Sequence, residues 1–359
     1  MNRSPALETL QRNFPAGADA ALIISPVNRR YYTGMPSTDG ALLVTPTDAV
    51  LLVDFRYIER ARQVAAGCEV VLRDRLFPQL RALLEARGAR TLAVETERMT
   101  VAEFSRLRAG LPGIMLRESG ELDREITRQR AVKTPGEIES VRAAQRITDR
   151  SFTELLNFLR PGITERQAAC ELVRLMREFG SEGEAFDTIA VAGPNSSMPH
   201  GVPTDRPLAA GDFFTLDFGA KKDGYCSDMT RTVAIGYATD EMRQVYDTVL
   251  RAQRAALAVI CPGVSCREID GTARQIIEEE AGYRGCFGHS LGHSLGLEIH
   301  ESPVFSPLSQ DTTQAGNLLS VEPGIYLEGR FGVRIEDIVW ITESGCENLT
   351  GSAKELLVL

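Results

Sequence analysis

The chain has 359 residues, of which 43% are hydrophobic and 25% charged, and its formal net charge is −9. This composition is typical of a folded globular protein and excludes a disordered chain. The net negative charge gives no electrostatic footprint for nucleic acid. A single hydrophobic core seldom grows to this length, so we expect two domains.

The N-terminus and the cysteines bear on the compartment. The first residues contain no apolar stretch of signal-peptide length, and no later run approaches the ~18 apolar residues of a membrane span. The seven cysteines are scattered without a C-x-x-C pair, which favours free thiols over disulfides and disfavours a zinc site at Cys261 and Cys266. We therefore expect a cytoplasmic protein that does not enter a membrane.

Short apolar runs alternate with amphipathic stretches in the N-terminal third of the chain. Apolar runs of strand length lie at 21–25, 41–44, 49–53, 70–72 and 91–94, and helical spacing occurs near 57–65, 77–87 and 101–111. The alternation predicts an α/β domain with most strands in one sheet. From Leu122 the pattern becomes helical through Leu159, interrupted only by Pro135. This change predicts two domains, residues 1–122 and residues 123–359.

The second domain contains a weak internal repeat. The segment Pro161–Gln167 (Pro-Gly-Ile-Thr-Glu-Arg-Gln) matches Pro262–Glu268 (Pro-Gly-Val-Ser-Cys-Arg-Glu). The fourth and seventh residues of each segment have the spacing of a capping box that opens a helix. Each predicted helix is followed by two strands around a glycine-containing turn. Two such units facing each other predict a pseudo-twofold domain with a sheet in its middle.

Four carboxylates lie in these hairpins, two in each repeat: Asp217, Asp228, Glu322 and Glu336. A turn midway between the members of each pair places them opposite or diagonal across the strand ladder. Like charges so placed destabilise a strand pair, and an unpaired carboxylate among apolar neighbours is costly. A solvated carboxylate near a turn is the ordinary alternative for any one of them. The two pairs together favour cations between them.

Histidine usage points to the same region. The chain has four histidines, and His289, His293 and His300 fall within one glycine-containing stretch. A core or surface position is the ordinary alternative for each, and the H-E-x-x-H order of zinc-binding helices is absent. Four carboxylates and an imidazole are a ligand set suited to two divalent ions that share oxygens, as in hydrolytic two-metal sites.

The sequence around these residues resembles the pita-bread-fold metallopeptidases, the family of methionyl aminopeptidase, aminopeptidase P and prolidase. The matching segments are Leu-Asp217-Phe-Gly, Ser-Asp228-Met-Thr-Arg-Thr, Gly-His293-Ser-Leu-Gly-Leu-Glu-Ile-His300-Glu, Val-Glu322-Pro-Gly-Ile-Tyr326 and Val-Arg334-Ile-Glu336-Asp. Residues 1–122 look like the creatinase-type N-terminal domain that aminopeptidase P and prolidase have and methionyl aminopeptidases lack. The resemblance implies a small α/β creatinase-like domain followed by a pseudo-twofold α+β pita-bread catalytic domain.

The resemblance also implies a metal centre. Asp217, Asp228, His293, Glu322 and Glu336 would hold two divalent ions, with Asp228 and Glu336 bridging them. A water activated by both ions would attack the peptide bond, and Glu322 would act as general base. The oxygen-rich ligand set favours manganese, with cobalt or zinc as alternatives.

Five further residues receive roles from the resemblance. His300 would steady the substrate carbonyl and the developing oxyanion, and His200 would lie near the leaving nitrogen. His289 would line the substrate pocket, although a structural role is equally open. Arg334 would hold Glu336 or Tyr326 in place, or face a substrate carboxylate, and Tyr326 would belong to the same pocket.

The expected activity is hydrolysis of the N-terminal Xaa-Pro bond of peptides. The enzyme would be similar to aminopeptidase P if it accepts longer peptides and to prolidase if it accepts only dipeptides. An aminopeptidase of broader or methionyl preference is an alternative, and a catalytically silent peptide-binding protein of the same fold is another. Members of the family are commonly dimers, so by analogy we expect a homodimer.

Overall fold

A computed structural model describes residues 3–359 of the chain. The contacts divide the chain into two compact units, one ending at Arg130 and the other covering Ala131–Leu359. The boundary expected between residues 122 and 123 lies within the helix Glu121–Ala131 and stays a prediction. No helix among residues 3–359 is long and apolar enough to cross a membrane. The seven cysteines all lie within the described residues, and all are free thiols.

The described part of the N-terminal unit contains a mixed six-stranded sheet. Its strands are β1 (Ala20–Ile23), β2 (Ala41–Val44), β3 (Ala49–Val53), β4 (Glu69–Leu72), β5 (Thr91–Val94) and β6 (Met115–Arg117). They lie in the order β4-β3-β2-β1-β5-β6. All residues of β1, β2 and β3 are buried, which explains why these strands read as unbroken apolar runs. The five predicted strands are confirmed, and β6 is an addition.

In the described part of the chain up to Ala131, six helices precede, connect or follow these strands. They are α1 (Pro5–Arg12), α2 (Pro26–Thr33), α3 (Ile58–Val64), α4 (Leu76–Ala86), α5 (Val101–Gly110) and α6 (Glu121–Ala131). The three helices predicted in this region correspond to α3, α4 and α5, whereas α1 and α2 were not predicted. Thr100 opens α5 with a capping box to Glu103, which satisfies amide groups that the first turn leaves unpaired.

The first half of the C-terminal unit, Ala131–Leu359, packs two helices against a three-stranded antiparallel sheet. Its elements are α7 (Pro135–Leu156), α8 (Glu165–Glu178), β7 (Ile189–Ala192), a 3₁₀ turn (Gly193–Ser197), β8 (Phe213–Phe218), β9 (Lys221–Lys222), β10 (Tyr225–Cys226) and β11 (Met229–Ala234). The sheet order is β11-β8-β7. Pro135 interrupts the helical pattern by starting α7 behind the N-cap of Thr134, a position that proline tolerates. Leu155, Leu172 and Phe214 meet in the apolar core of this half.

The second half repeats the plan with a larger sheet. Its elements are α9 (Asp240–Val259), α10 (Cys266–Arg274), a π-helical turn (Gln275–Glu280), β12 (Gly292–Ser294), β13 (Glu301–Phe305), β14 (Leu318–Val321), β15 (Gly324–Leu327), β16 (Phe331–Arg334), β17 (Asp337–Ile341) and β18 (Cys346–Asn348). The sheet order is β13-β12-β14-β17-β18, and β15 pairs with β16. A Cβ on Gly292 would lie 1.9 Å from the carbonyl oxygen of Ser320, so only glycine lets β12 approach β14 this closely.

Each half has an equivalent backbone bridge at the predicted repeat. Thr164 forms an isolated bridge with Pro207, and Ser265 forms one with Thr312. The capping box at Thr164 is confirmed, because its hydroxyl accepts from the Gln167 amide and the Gln167 side chain accepts from the Thr164 amide. The second predicted box is wrong, since Ser265 occupies the N-cap position of α10 without a capping hydrogen bond from its side chain. The repeat therefore holds in the backbone and differs in the cap.

Candidate metal centre

A cavity of about 780 Å³ in the C-terminal unit is lined by residues of both halves of that unit. Nine of the ten residues predicted for the site line it: His200, Asp217, Asp228, His289, His293, His300, Glu322, Arg334 and Glu336. The tenth, Tyr326, is not among the lining residues but forms hydrogen bonds with two of the nine, His289 and Arg334. The fold therefore collects residues that the sequence spreads over more than 130 positions.

Strand register explains how the four carboxylates meet. Asp217 pairs with Thr230 across β8 and β11, so Asp228, two residues before Thr230, lies diagonal to Asp217 on the same face. In the second half Val321 pairs with Asp337 and Gly324 pairs with Arg334. The same register, continued between these two pairs, places Glu322 opposite Glu336. Glu322 lies between β14 and β15, and Glu336 lies between β16 and β17.

The buried carboxylates leave acceptor atoms without donors. Within residues 3–359, Asp217 Oδ1, Asp228 Oδ1 and Glu336 Oε1 are buried and accept no hydrogen bond. A buried polar atom without a partner costs about 1–3 kcal/mol, and more if it is charged. Ligand atoms of Asp228, His293 and Glu336 all lie within 4.8 Å of one another. A divalent cation at this point would satisfy these oxygens, so the residues fit a metal centre.

The electrostatics of the cluster agree with that fit. Burial, followed by the charges of Glu336 and Asp217, raises the pKa of Asp228 well above its ordinary value. Burial and the charges of Glu322 and Asp217 do the same to the pKa of Glu336. Burial also raises the pKa of Glu322 to about 7. Without added positive charge these carboxylates resist joint ionisation, and bound cations would reverse that balance.

His293 is held with one ring nitrogen toward the acids. Its Nδ1 lies 3.1 Å from the carbonyl oxygen of Ser294, which can only accept, so Nδ1 carries the proton. Its Nε2 lies 3.6 Å from Asp228 Oδ2 and 3.4 Å from Glu322 Oε1. Burial lowers the pKa of His293, which favours the neutral imidazole that binds metals. Ser320 Oγ accepts from the His293 amide and donates to Glu322 Oε1 at 3.0 Å, so it links two predicted ligands.

Arg334 ties together several residues beside the acids. Its guanidinium donates to Asp217 Oδ2 at 2.5 Å, to Tyr326 Oη at 2.7 Å and to Thr230 Oγ1 at 3.1 Å. Thr230 Oγ1 in turn donates to Glu336 Oε2 at 2.7 Å. Of the roles left open for Arg334, the geometry supports holding Tyr326 and Asp217 directly, and Glu336 through Thr230. Burial alone would lower the pKa of Arg334, but Tyr326 and Asp217 outweigh it and the pKa is raised.

The remaining histidines face the cavity in different ways. The rings of His293 and His300 meet edge to face with centroids 4.5 Å apart, and His300 is exposed in the cavity, as is His200. His289 Nε2 lies 2.8 Å from Tyr326 Oη, and its Nδ1 lies 2.8 Å from the Ser290 carbonyl. Burial lowers the pKa of His289 to about 4, so its ring is neutral near pH 7. His289 both lines the cavity and supports Tyr326.

Comparison with known families agrees with this geometry. The model of metallopeptidase family M24 matches residues 139–343, and the model of the creatinase/prolidase N-terminal domain matches residues 9–132. The chain belongs to metallopeptidase family M24. The predicted fold class, an α/β creatinase-like domain before a pita-bread catalytic domain, is thereby confirmed. Family membership implies divalent metal, peptide substrates and hydrolysis.

Three relatives of this M24 peptidase cover nearly the whole chain. The uncharacterized peptidase YqhT of Bacillus subtilis is 39% identical over 98% of this chain and 99% of its own length. The structure of an Xaa-Pro dipeptidase from Bacillus anthracis matches with a TM-score of 0.94 at 37% identity, covering 99% of each chain. The structure of an X-Pro aminopeptidase from Thermotoga maritima matches with a TM-score of 0.90 at 36% identity, covering 97% of this chain and 99% of that one.

Two residues that link predicted site residues of this M24 peptidase were not predicted from sequence. Thr230 bridges Arg334 and Glu336, and Ser320 bridges His293 and Glu322. Each lies two residues before or after a predicted ligand, Thr230 after Asp228 and Ser320 before Glu322. Side chains two apart in a strand share a face, so period-two spacing from the acids was the available signal.

A buried ion pair between Arg231 on β11 and Asp337 on β17 joins the two halves of the metallopeptidase unit. Arg231 donates to Asp337 Oδ1 at 2.8 Å and to the carbonyl oxygens of Thr230, Glu336, Ser352 and Ala353. Lys354, Gln253 and Asn348 donate to the other oxygen of Asp337. Burial would raise the pKa of Asp337, but Arg231 and Lys354 outweigh it and the pKa is lowered.

Replacing Arg231 by methionine is expected to destabilise the protein by about 3–5 kcal/mol, the usual cost of removing one partner of a buried ion pair. Urea unfolding of the metal-loaded protein measures this change. The matched control is Arg254→Met, which removes an exposed ion pair with Glu355 and should cost no more than about 1 kcal/mol. Equal unfolding midpoints for the Arg231 variant and the wild type would contradict the supporting role of Arg231.

Proposed function

We propose that this chain hydrolyses the N-terminal Xaa-Pro bond of peptides. The observation that carries the proposal is the group of four carboxylates and His293 that lines the cavity, in which three buried carboxylate oxygens lack donors among residues 3–359. Relatives that match nearly the full length are named Xaa-Pro dipeptidase and X-Pro aminopeptidase, which supports the proline preference. Hydrolysis at a peptide N-terminus follows from both names.

We propose that the centre holds two divalent ions. The ligands would be Asp217, Asp228, His293, Glu322 and Glu336, with Asp228 and Glu336 bridging. Oxygen-rich ligands with one imidazole favour manganese over cobalt or zinc. When bound, such ions polarise the scissile carbonyl and acidify a water to make the nucleophile.

The side chains have distinct tasks in this proposal. The side chain of Glu322 is 15% exposed, compared with 12% for Asp217, which is paired with Arg334. The Asp228 side chain is 4% exposed and Glu336 as a residue 1%, so Glu322 is the acid most accessible from the cavity. We assign it the role of general base. His300 lies in the open cavity against the ring of His293 and would donate a hydrogen bond to the developing oxyanion. His200, also exposed there, would face the leaving nitrogen.

The walls of the cavity suit a proline residue. Phe186, Ile189, Val202, Ile299 and Val304 contribute apolar surface to its lining. A pyrrolidine ring is apolar, and the tertiary amide before it has no N–H that needs an acceptor. This wall therefore supports recognition of proline without a dedicated hydrogen bond to the scissile nitrogen.

Two further proposals concern the state of the enzyme. We propose a homodimer, because members of this family commonly dimerise. We propose a cytoplasmic location, because the cysteines are free thiols, as is usual in a reducing compartment.

Product analysis on three peptides tests the proposed activity. Metal-stripped enzyme should be inactive, and Mn²⁺ should restore cleavage of Ala-Pro or Ala-Pro-Ala while Met-Ala-Ala remains a poor substrate. Cleavage of Ala-Pro alone would define a dipeptidase, and cleavage of Ala-Pro-Ala would define an aminopeptidase P-like enzyme. Preference for Met-Ala-Ala would contradict the proline assignment. No cleavage of any peptide by Mn²⁺-loaded enzyme would contradict the catalytic assignment.

A further inference from the structure

Lys133 is a buried cation that the proposed mechanism does not use. It lies between α6 and α7, and its side chain is 1% exposed. Its amide donates to the carbonyl oxygen of Gly316 at 2.8 Å, and the Asn317 side chain donates to the carbonyl of Ala131, so this segment is fixed next to the start of β14. A lysine ammonium is expensive to bury unless it is paired and hydrogen-bonded.

The Lys133 ammonium joins residues that follow the two cavity histidines. It donates to Ser294 Oγ at 2.8 Å and pairs with Glu301 Oε2 at 3.2 Å. Ser294 directly follows His293, and Glu301 directly follows His300. The ammonium therefore spans the two ends of the loop 295–300, which separates the predicted metal ligand from the predicted oxyanion donor.

The strand ladder does not hold this spacing by itself. His293 pairs with Val304, but the next residue, Ser294, pairs with Glu301, and the register shifts between the two pairs. Such a bulge leaves backbone groups out of the regular ladder and bends the strand. Lys133 contacts both members of the pair beyond the shift, Ser294 and Glu301. Its ammonium therefore holds Ser294 and Glu301 together next to the place where the strand register shifts.

The loop packs tightly around the acid partner of Lys133. A Cβ on Gly296 would lie 2.8 Å from Glu301 Oε1, and that oxygen also accepts from the Glu298 amide at 3.1 Å. The carboxylate is therefore confined on one side by the loop and on the other by the ammonium. Movement of Glu301 would carry its neighbour His300 with it.

We propose that Lys133 is a positioning residue that sets the spacing of His293 and His300 through Ser294 and Glu301. The inference rests on the proposed roles of the two histidines at the metal centre. Loss of the ammonium would disturb His293 as a metal ligand and His300 as a transition-state donor. Loss of the ammonium should therefore lower metal affinity and kcat. KM should change less, because it depends on substrate contacts with the cavity walls, which Lys133 does not form.

Calorimetric titration with Mn²⁺, together with kcat and KM on the proline peptide that the wild type cleaves, tests this role. Lys133→Met should lose about 10- to 100-fold in Mn²⁺ affinity, kcat or both, as for other residues that orient metal ligands. Lys133→Arg keeps a cation and should recover part of the loss. The matched control is Arg142→Met, which removes a surface ion pair between α7 and Glu347 on β18 and should change neither quantity.

Partner variants cover the case in which Lys133→Met does not fold. Ser294→Ala and Glu301→Gln each remove one contact of the ammonium and should lower the same two quantities by smaller factors. The double variant Lys133→Met with Glu301→Gln should lose less than the product of the single losses, because the two groups act as a pair. Wild-type Mn²⁺ affinity and kcat in folded Lys133→Met would overturn this inference alone. A wild-type protein that binds no Mn²⁺ would overturn the proposed centre and this inference with it.

Discussion

Replacing Glu336 by alanine is expected to abolish both metal binding and peptide hydrolysis. The residue is 1% exposed, one of its carboxylate oxygens has no donor among residues 3–359, and a carboxylate oxygen lies within 4.8 Å of ligand atoms of Asp228 and His293. A bridging carboxylate would contact both ions. Its removal should therefore lower metal affinity and activity by more than the ~10- to 100-fold that is usual for residues that only orient ligands. Metal content after dialysis and kcat/KM measure the two losses. Asp228→Ala should behave alike.

Metal-dependent stability gives a second measure of the same change. Mn²⁺ should raise the Tm of the wild type, since a ligand that binds only the folded state stabilises it, and it should leave the Tm of Glu336→Ala unmoved. Glu343→Ala is the matched control, because Glu343 is an exposed acid in the turn after β17. Near-normal activity with bound metal in either the Glu336 or the Asp228 variant would refute the bridging assignment.

Replacing His300 by alanine is expected to lower kcat by about 10²- to 10³-fold while metal content stays at the wild-type level, as for a lost oxyanion donor. The ring of His300 lies in the open cavity and touches His293 edge to face, which suits a group that meets substrate. Steady-state kinetics and metal analysis of the purified variant measure the two quantities.

His300→Gln separates hydrogen bonding from bulk. Glutamine retains a donor, so this variant should keep more activity than His300→Ala. If the alanine variant instead loses its metal, the ligand was assigned to the wrong histidine. If its kcat is unchanged, His300 has no part in the transition state.

The sequence predicted the elements whose signal is local. β2 and β3 read as unbroken apolar runs because both faces of each are buried, and their bounds are those predicted. α2 gave no such signal, because three of its four buried residues, Asn28, Arg29 and Thr33, are polar. Arg29 is buried because its guanidinium donates to carbonyl oxygens of Ser37 and Gly40, contacts that no spacing along the helix reveals.

In the candidate site, too, the residues with a local sequence signal were predicted and those with only long-range contacts were not. The acids could be found because carboxylates inside apolar strands are anomalous without a cation. The spacing of Asp217 and Asp228 about a turn predicted that they lie opposite or diagonal, and the strand register makes them diagonal. Lys133 could not be found, because its contact with Ser294 joins positions 161 residues apart, and an isolated lysine between two helices is ordinary. The roles assigned to the site residues stay predictions until the variants are measured.

The two-half construction of the catalytic unit has a consequence for its synthesis. Thr230 and Glu336, which are bonded at 2.7 Å, are 106 positions apart in the chain. Translation proceeds at ~5–20 residues per second, so Asp217 and Asp228 leave the ribosome about 5–20 s before Glu336, which lies near the end of the second half. During that interval the predicted ligands of the second half, Glu322 and Glu336 among them, are not yet all present, so the full ligand set can assemble only when the chain is nearly complete.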